Sequence, residues 1–100
     1  MRKIYLKIHD QIAAILHEQE KDYRLEYIES YHGVPLSLAL PLEKRIYEFS
    51  DFPPFLDGLL PEGIQLDAIL RKYKLDADDY LSQIILVGND LVGAITVEEA

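Results

Sequence analysis

The chain has no cysteine, no tryptophan and a single methionine in 100 residues. Without cysteine there can be no disulfide, thiolate metal site or thiol nucleophile, and a cytoplasmic location is expected. Without tryptophan, no indole can anchor an interface, so Phe, Tyr, Leu and Ile must fill any pocket on a partner. Basic residues are also scarce. Ten Lys and Arg stand against 18 Asp and Glu, for a net charge of −8. Nucleic-acid affinity rests on phosphate contacts from a basic face, so direct DNA or RNA binding is not expected; the acidic surface reads first as one that keeps a small protein soluble, and second as a match for a basic partner. Long apolar runs are missing too. The uncharged stretches 32–42 and 80–89 are about half the roughly 20 residues a membrane helix needs. Arg2 and Lys3 lead into a stretch broken by Lys7, His9 and Asp10, which excludes a signal-peptide core.

The 49% hydrophobic and 28% charged content is that of one globular domain, expected over residues 1–100, with enough chain for a core. Ile4, Leu6 and Ile8 alternate with Lys3, Tyr5 and Lys7 as in a half-buried strand. His9 to Gln11 offer a turn, and Ile12, Ala14 and Leu16 place a second strand over 12–18. Tyr23, Leu25 and Tyr27 alternate with Asp22, Arg24 and Glu26, suiting an antiparallel sheet with one wet face. Leucines 36, 38, 40 and 42 alternate as well. Pro35 and Pro41 cannot donate ladder hydrogen bonds, so that segment is expected as an extended edge or a packed loop. A short strand follows over 45–49.

The second half has helical periodicity. Ser50 or Asp51 is placed to cap a helix with Pro53 or Pro54 in its first turn and Phe55, Leu56, Leu59 and Leu60 on its apolar stripe. Leu66, Ile69, Leu70 and Tyr73 mark a second helix. Asp76 reads as the N-cap of a third, with Asp79 at N3 and Tyr80, Leu81, Ile84 and Ile85 facing inward. Gly88 would end that helix in a left-handed conformation, Asn89 and Asp90 would turn the chain, and a last strand is expected over 92–97 with Gly93 at a bulge or close approach. The fold class is therefore α+β: a mostly antiparallel sheet with about three helices packed on one side.

Residues that could carry chemistry do not assemble into a site. His9, His17 and His32 lie in different elements and lack the i, i+4 spacing of a helical metal site. A calcium loop counted from Asp76 would put Leu81 where glycine is required and Val87 where a bidentate Glu belongs. Gly88 and Gly93 are spaced like a phosphate loop, but Ala94 and Ile95 replace its Lys and Ser/Thr. Serines 30, 37, 50 and 82 lie in no nucleophile elbow, and no kinase catalytic motif occurs. No catalysis, cofactor or metal is expected. Arg71, Lys72 and Lys74 are accounted for as complements to the negative end of the second helix.

The surface is more informative. Residues 52–64 carry Phe52, Phe55, Leu56, Leu59, Leu60 and Ile64, more apolar area than one short helix hides easily, with Phe55, Leu56 and Leu59 reading equally well as core or as partner-facing. The expected exposed piece is a loop over 61–65 that sets Ile64 between Gly63 and Gln65, after Pro61 and Glu62.

Three segments carry a family resemblance: Pro35-Leu36-Ser37-Leu38-Ala39-Leu40-Pro41-Leu42, Phe55-Leu56-Asp57-Gly58-Leu59-Leu60-Pro61-Glu62-Gly63, and a Gly-x-Asp-x-x-Gly-Ala box at Gly88, Asp90, Gly93 and Ala94. Together they resemble the N-terminal subdomain of HipA-type toxin kinases, which is fused ahead of a Ser/Thr kinase core and packs on it. The chain stops at Ala100, where that core would begin, so the resemblance implies a lobe without its kinase. In the split, three-gene HipBST arrangement such a lobe is an antitoxin to a short HipT kinase, beside a DNA-binding HipB. The implied partners are a HipT-like Ser/Thr kinase and, in a ternary complex, a HipB-like protein. With that docking, the exposed loop of Pro61, Glu62, Gly63, Ile64 and Gln65 is expected to reach the kinase near its Gly-rich, ATP-binding region, with Phe55 and Leu59 supporting it from behind. A stabilising scaffold that bridges kinase and DNA-binding partner is the other role the resemblance allows.

Overall fold

A computed structural model describes residues 2–20, 22–88 and 94–100. Strands β1 (Lys3–Ile8) and β2 (Gln11–Glu18) form a hairpin through His9 and Asp10. Both turn residues have left-handed backbone, φ 49° and 65°, as a two-residue turn needs to match the twist of its strands. Strands β3 (Tyr23–Tyr27), β4 (Ile46–Phe49) and β5 (Ile95–Glu99) complete one antiparallel sheet of order β4-β3-β2-β1-β5. The helices are α1 (Pro54–Asp57), α2 (Gly63–Tyr73) and α3 (Tyr80–Leu86). The expected α+β class is the one observed.

One sheet face supplies Ile4, Leu6, Leu16, Leu25, Tyr27 and Val97 to the core, where they meet Leu56 of α1 and Leu81 and Ile84 of α3. On the opposite face, Tyr5, Ile15, Arg24 and Glu26 are only half-buried and Lys3, Ile46 and Glu48 are exposed. Helix α2 buries no residue, unlike α1 and α3. Arg2 fastens α3 to the sheet. Its guanidinium meets the Glu18 carboxylate at 2.9 and 3.1 Å, the Asp79 carboxylate at 2.6 Å and the Ser82 hydroxyl at 2.7 Å.

Several local expectations are corrected. Ile12 does not share the inner face with Ala14 and Leu16. Leu6 pairs with Ala14 and Lys7 with Ile12, so Ala13 is an extra residue and the alternation of β2 reverses there. The bulge carbonyl accepts the Ile28 amide at 2.8 Å, which satisfies it.

The leucine alternation from 36 to 42 also breaks, because Leu36 and Leu40 are buried while Leu38 is 99% exposed. The cause is Tyr27. Its hydroxyl accepts the Leu36 amide at 3.0 Å and donates to the Leu40 carbonyl at 2.6 Å, pinning both ends of a turn and leaving Leu38 at its tip. Burial raises the pKa of this phenol, and the Leu36 amide partly opposes that shift.

Capping differs as well. Pro53, not Ser50 or Asp51, holds the N-cap position of α1, and Pro54 takes its first turn. Asp79, not Asp76, caps α3. It accepts the Ser82 amide at 3.3 Å and the Ser82 hydroxyl at 2.8 Å, and the Asp76 carbonyl accepts the Asp79 amide at 3.1 Å.

The last strand runs over Ile95–Glu99. The expected turn at Asn89 and Asp90, the start at Val92 and the Gly93 bulge lie outside the described residues. Gly88 is not left-handed; the only positive-φ glycine among the described residues is Gly63. Gly88 is needed for close approach. Its carbonyl accepts the Val97 amide at 3.0 Å, and a Cβ at this position would strike the Val97 carbonyl.

Candidate functional site

The seven candidate docking residues fall at the tip joining α1 to α2. Pro53 and Pro54 preset the backbone of α1, which is a single turn, and Leu56 plugs it into the core with no exposed surface. Phe55 and Leu59, on either side of Leu56, are half-buried and pack against the core cluster. Beyond them Pro61 is half-buried, while Glu62, Gly63, Ile64 and Gln65 are all exposed.

Residues 61–65 are not one loop, however. Glu62 is the N-cap residue of α2, and Gly63, Ile64 and Gln65 form its first turn. Gly63 enters with φ 59°, a left-handed conformation open to glycine at little strain, and nothing lies within 4 Å of where its Cβ would be. The sequence pattern of 66, 69, 70 and 73 hid this start, because the turn before Leu66 has no side chain in the core to continue the stripe.

The helix start is weakly held. No side chain caps it, and its first turn carries no acidic residue. Its far end is better satisfied: Lys74 has left-handed backbone, φ 55°, its amide donates back into the last turn, and Arg71 and Lys72 lie there as expected. Ile64 is 87% exposed, and Tyr73 at the other end is 48% exposed. Leu66, Ile69 and Leu70 are half-covered, so α2 keeps an apolar stripe with little packed on it.

Sequence reasoning missed a second group of exposed apolar residues, Val34 at 62% and Leu38 at 99%. The available signal was the uncharged run 32–42, which reads equally well as a buried strand.

The remaining polar candidates serve local structure. His9, in the β1–β2 turn, and His32 are exposed, and His17 Nε2 lies 3.7 Å from Glu26. Among the described residues, no three His, Asp or Glu side chains are grouped to hold a metal ion. Burial disfavours the charged form of Asp79, but the Arg2 guanidinium, the Ser82 hydroxyl and the Ser82 amide outweigh it and hold the carboxyl below its usual range. Among the described residues no helix is long and apolar enough to cross a membrane.

Comparison with known proteins agrees with this architecture. The solved N-terminal domain of HipA toxin superposes with a TM-score of 0.78 over 100% of this chain and 93% of that one, at 21% identity, which establishes the shared fold. An uncharacterized protein of Haemophilus influenzae is 25% identical over 97 residues, spanning 97% of this chain and 90% of that relative. The family model of the HipA N-terminal domain matches residues 4–98, and the chain belongs to that family.

Proposed function

We propose that this chain is a HipS-like, stand-alone form of the domain that binds and neutralises a HipA-type Ser/Thr kinase, as antitoxin to a HipT-like toxin. The observation that carries the reading is Ile64: a large apolar side chain, 87% exposed, on the first turn of a helix with no fully buried residue. A surface of this kind gains by docking. Phe55 and Leu59 support the tip from the core side, and Pro61, Glu62, Gly63, Ile64 and Gln65 reach the kinase N-lobe near its Gly-rich, ATP-binding region. Phosphoryl transfer depends mainly on positioning, so a wedge that displaces the phosphate loop is enough to stop it. The chain itself acts without catalysis.

The test is a titration of the chain into a HipT-like kinase from the same organism, with activity and co-elution measured on the same samples. Stoichiometric loss of activity in a stable complex is expected, and Ile64→Asp with Gln65→Ala should relieve it. A complex of undiminished activity would instead identify a scaffold that bridges the kinase to a HipB-type partner. Absence of any complex would remove the kinase-partner reading.

A further inference from the structure

The two edges of the sheet are finished differently. The outer edge of β5 is partly closed, because the Val97 amide donates to the Gly88 carbonyl at 3.0 Å. The outer edge of β4 has no such cover: among the described residues its backbone bonds run to β3 alone. The Tyr27 amide donates to the Arg45 carbonyl at 2.9 Å, which fixes the phase of the ladder. By the alternation of antiparallel pairs, Tyr47 and Phe49 bond to β3, and the N–H and C=O groups of Ile46 and Glu48 point outward.

Where this edge ends, two adjoining hollows of about 310 and 260 Å³ open between β4 and α1. Their walls carry Glu48, Asp51 and Asp57 and include no Lys, Arg or His. None of the three acids makes an ion pair among the described residues. Aromatic rings line the hollows as well, since Phe52 and Tyr80 pack with centroids 5.5 Å apart.

We infer that the β4 edge and this groove receive an extended segment of a partner protein that bears Arg or Lys at alternate positions. The backbone of the segment pairs with Ile46 and Glu48 as an added strand, and a cationic side chain enters the hollow, its stem against the rings and its charge toward Asp51 and Asp57. A second copy of this chain is a poor occupant. Its net charge is −8, and its densest basic group, Arg71 to Lys74, lies at the end of a helix rather than in an extended segment. The site is separate from the α2 tip and does not depend on the kinase reading.

The test uses the whole chain, isotope-labelled, and a short capped peptide alternating arginine with valine. Resonance shifts should concentrate at 46–57 and Tyr80, and amide exchange at Ile46 and Glu48 should slow about tenfold or more. Asp51→Asn with Asp57→Asn should weaken binding about tenfold, and added salt should weaken it further. Glu48→Pro deletes an outward N–H at an edge position where proline is tolerated, so fold is kept and binding lost. Should that variant fail to fold, exchange at Ile46 and Glu48 in the parent chain still decides the matter. Binding without slowed exchange there overturns strand addition. Equal shifts at Asp67, Asp76 and Asp78, equal binding of a glutamate-for-arginine peptide, or self-association of the free chain each overturn the proposed occupant. Ile64→Asp should leave peptide binding unchanged, which separates this site from the kinase surface.

Discussion

Leu16 and Leu66 both sit where the period of their element predicts an apolar residue, yet Leu16 is fully buried and Leu66 only half-covered. The difference lies in what surrounds each element. Strand β2 has hydrogen-bonded neighbours on both sides, and its inward side chains share one core cluster with Leu56 of α1 and Leu81 and Ile84 of α3, so they are enclosed. Helix α2 has an apolar stripe, but among the described residues none of its side chains is fully buried, and it begins without a side-chain cap. An 11-residue helix is marginal by itself in water, so α2 belongs to the low-stability end of the molecule. In this domain amphipathicity marks core in the sheet and available surface in the helix.

The largest test of this contrast substitutes the same residue type in the two regions. Leu16→Ala should lower stability by about 3 kcal/mol, moving Tm down by roughly 12–24 °C, because it empties a fully enclosed site. Leu66→Ala should lower it by less than about 1 kcal/mol. Comparable losses in calorimetry would mean that α2 is as well packed as the sheet. Next comes the pinned turn. Tyr27→Phe strands the Leu36 amide and the Leu40 carbonyl and should cost about 1–3 kcal/mol in chemical denaturation. Smaller again is Gly63→Ala, which forces a Cβ into left-handed backbone for about 1–2 kcal/mol, and faster amide exchange in α2 than in β2 should accompany it.

A pH titration should report on the sheet side of the comparison. Asp79 has its pKa lowered in the folded chain, so its contribution is complete above the unfolded value of about 4 and is lost as pH falls through the folded value. Tm should fall on acidification through that window, and Arg2→Gln should flatten this part of the curve by removing the partner that lowers the Asp79 pKa.

How far the fold could be read from sequence follows the same division. The alternation in β1 and β3 was legible because one face of each strand is enclosed and the other wet. The reversal at Ala13 was not, since a bulge is set by the partner strand's register and Ile12-Ala13-Ala14-Ile15 fits either phase. Asp76 and Asp79 are equally good caps in sequence, and only the position of Arg2 and Ser82 distinguishes them. At the candidate site, the exposure of Ile64 was legible from its setting between glycine and glutamine. The helical start at Gly63 was not, because positive φ leaves no mark in the sequence beyond the glycine itself. The exposure of Leu38 depends on a hydroxyl more than ten positions upstream in Tyr27, beyond any local pattern.

The smallest expected effect on stability is the sharpest form of the comparison. Ile64→Asp introduces a charge at a side chain that is already 87% exposed, next to a backbone that needs no help from it. A core isoleucine such as Ile84, with no exposed surface, could not accept the same change without burying a carboxylate. Stability of Ile64→Asp should therefore stay within about 0.5 kcal/mol of the parent, and an acid in the first turn of α2 even favours its helix dipole slightly. A larger loss in Tm would mean that Ile64 packs in solution and that the α2 tip is core. An unchanged Tm with weakened kinase binding would locate its contribution in the interface, since no packing inside the chain would then account for an isoleucine at that position.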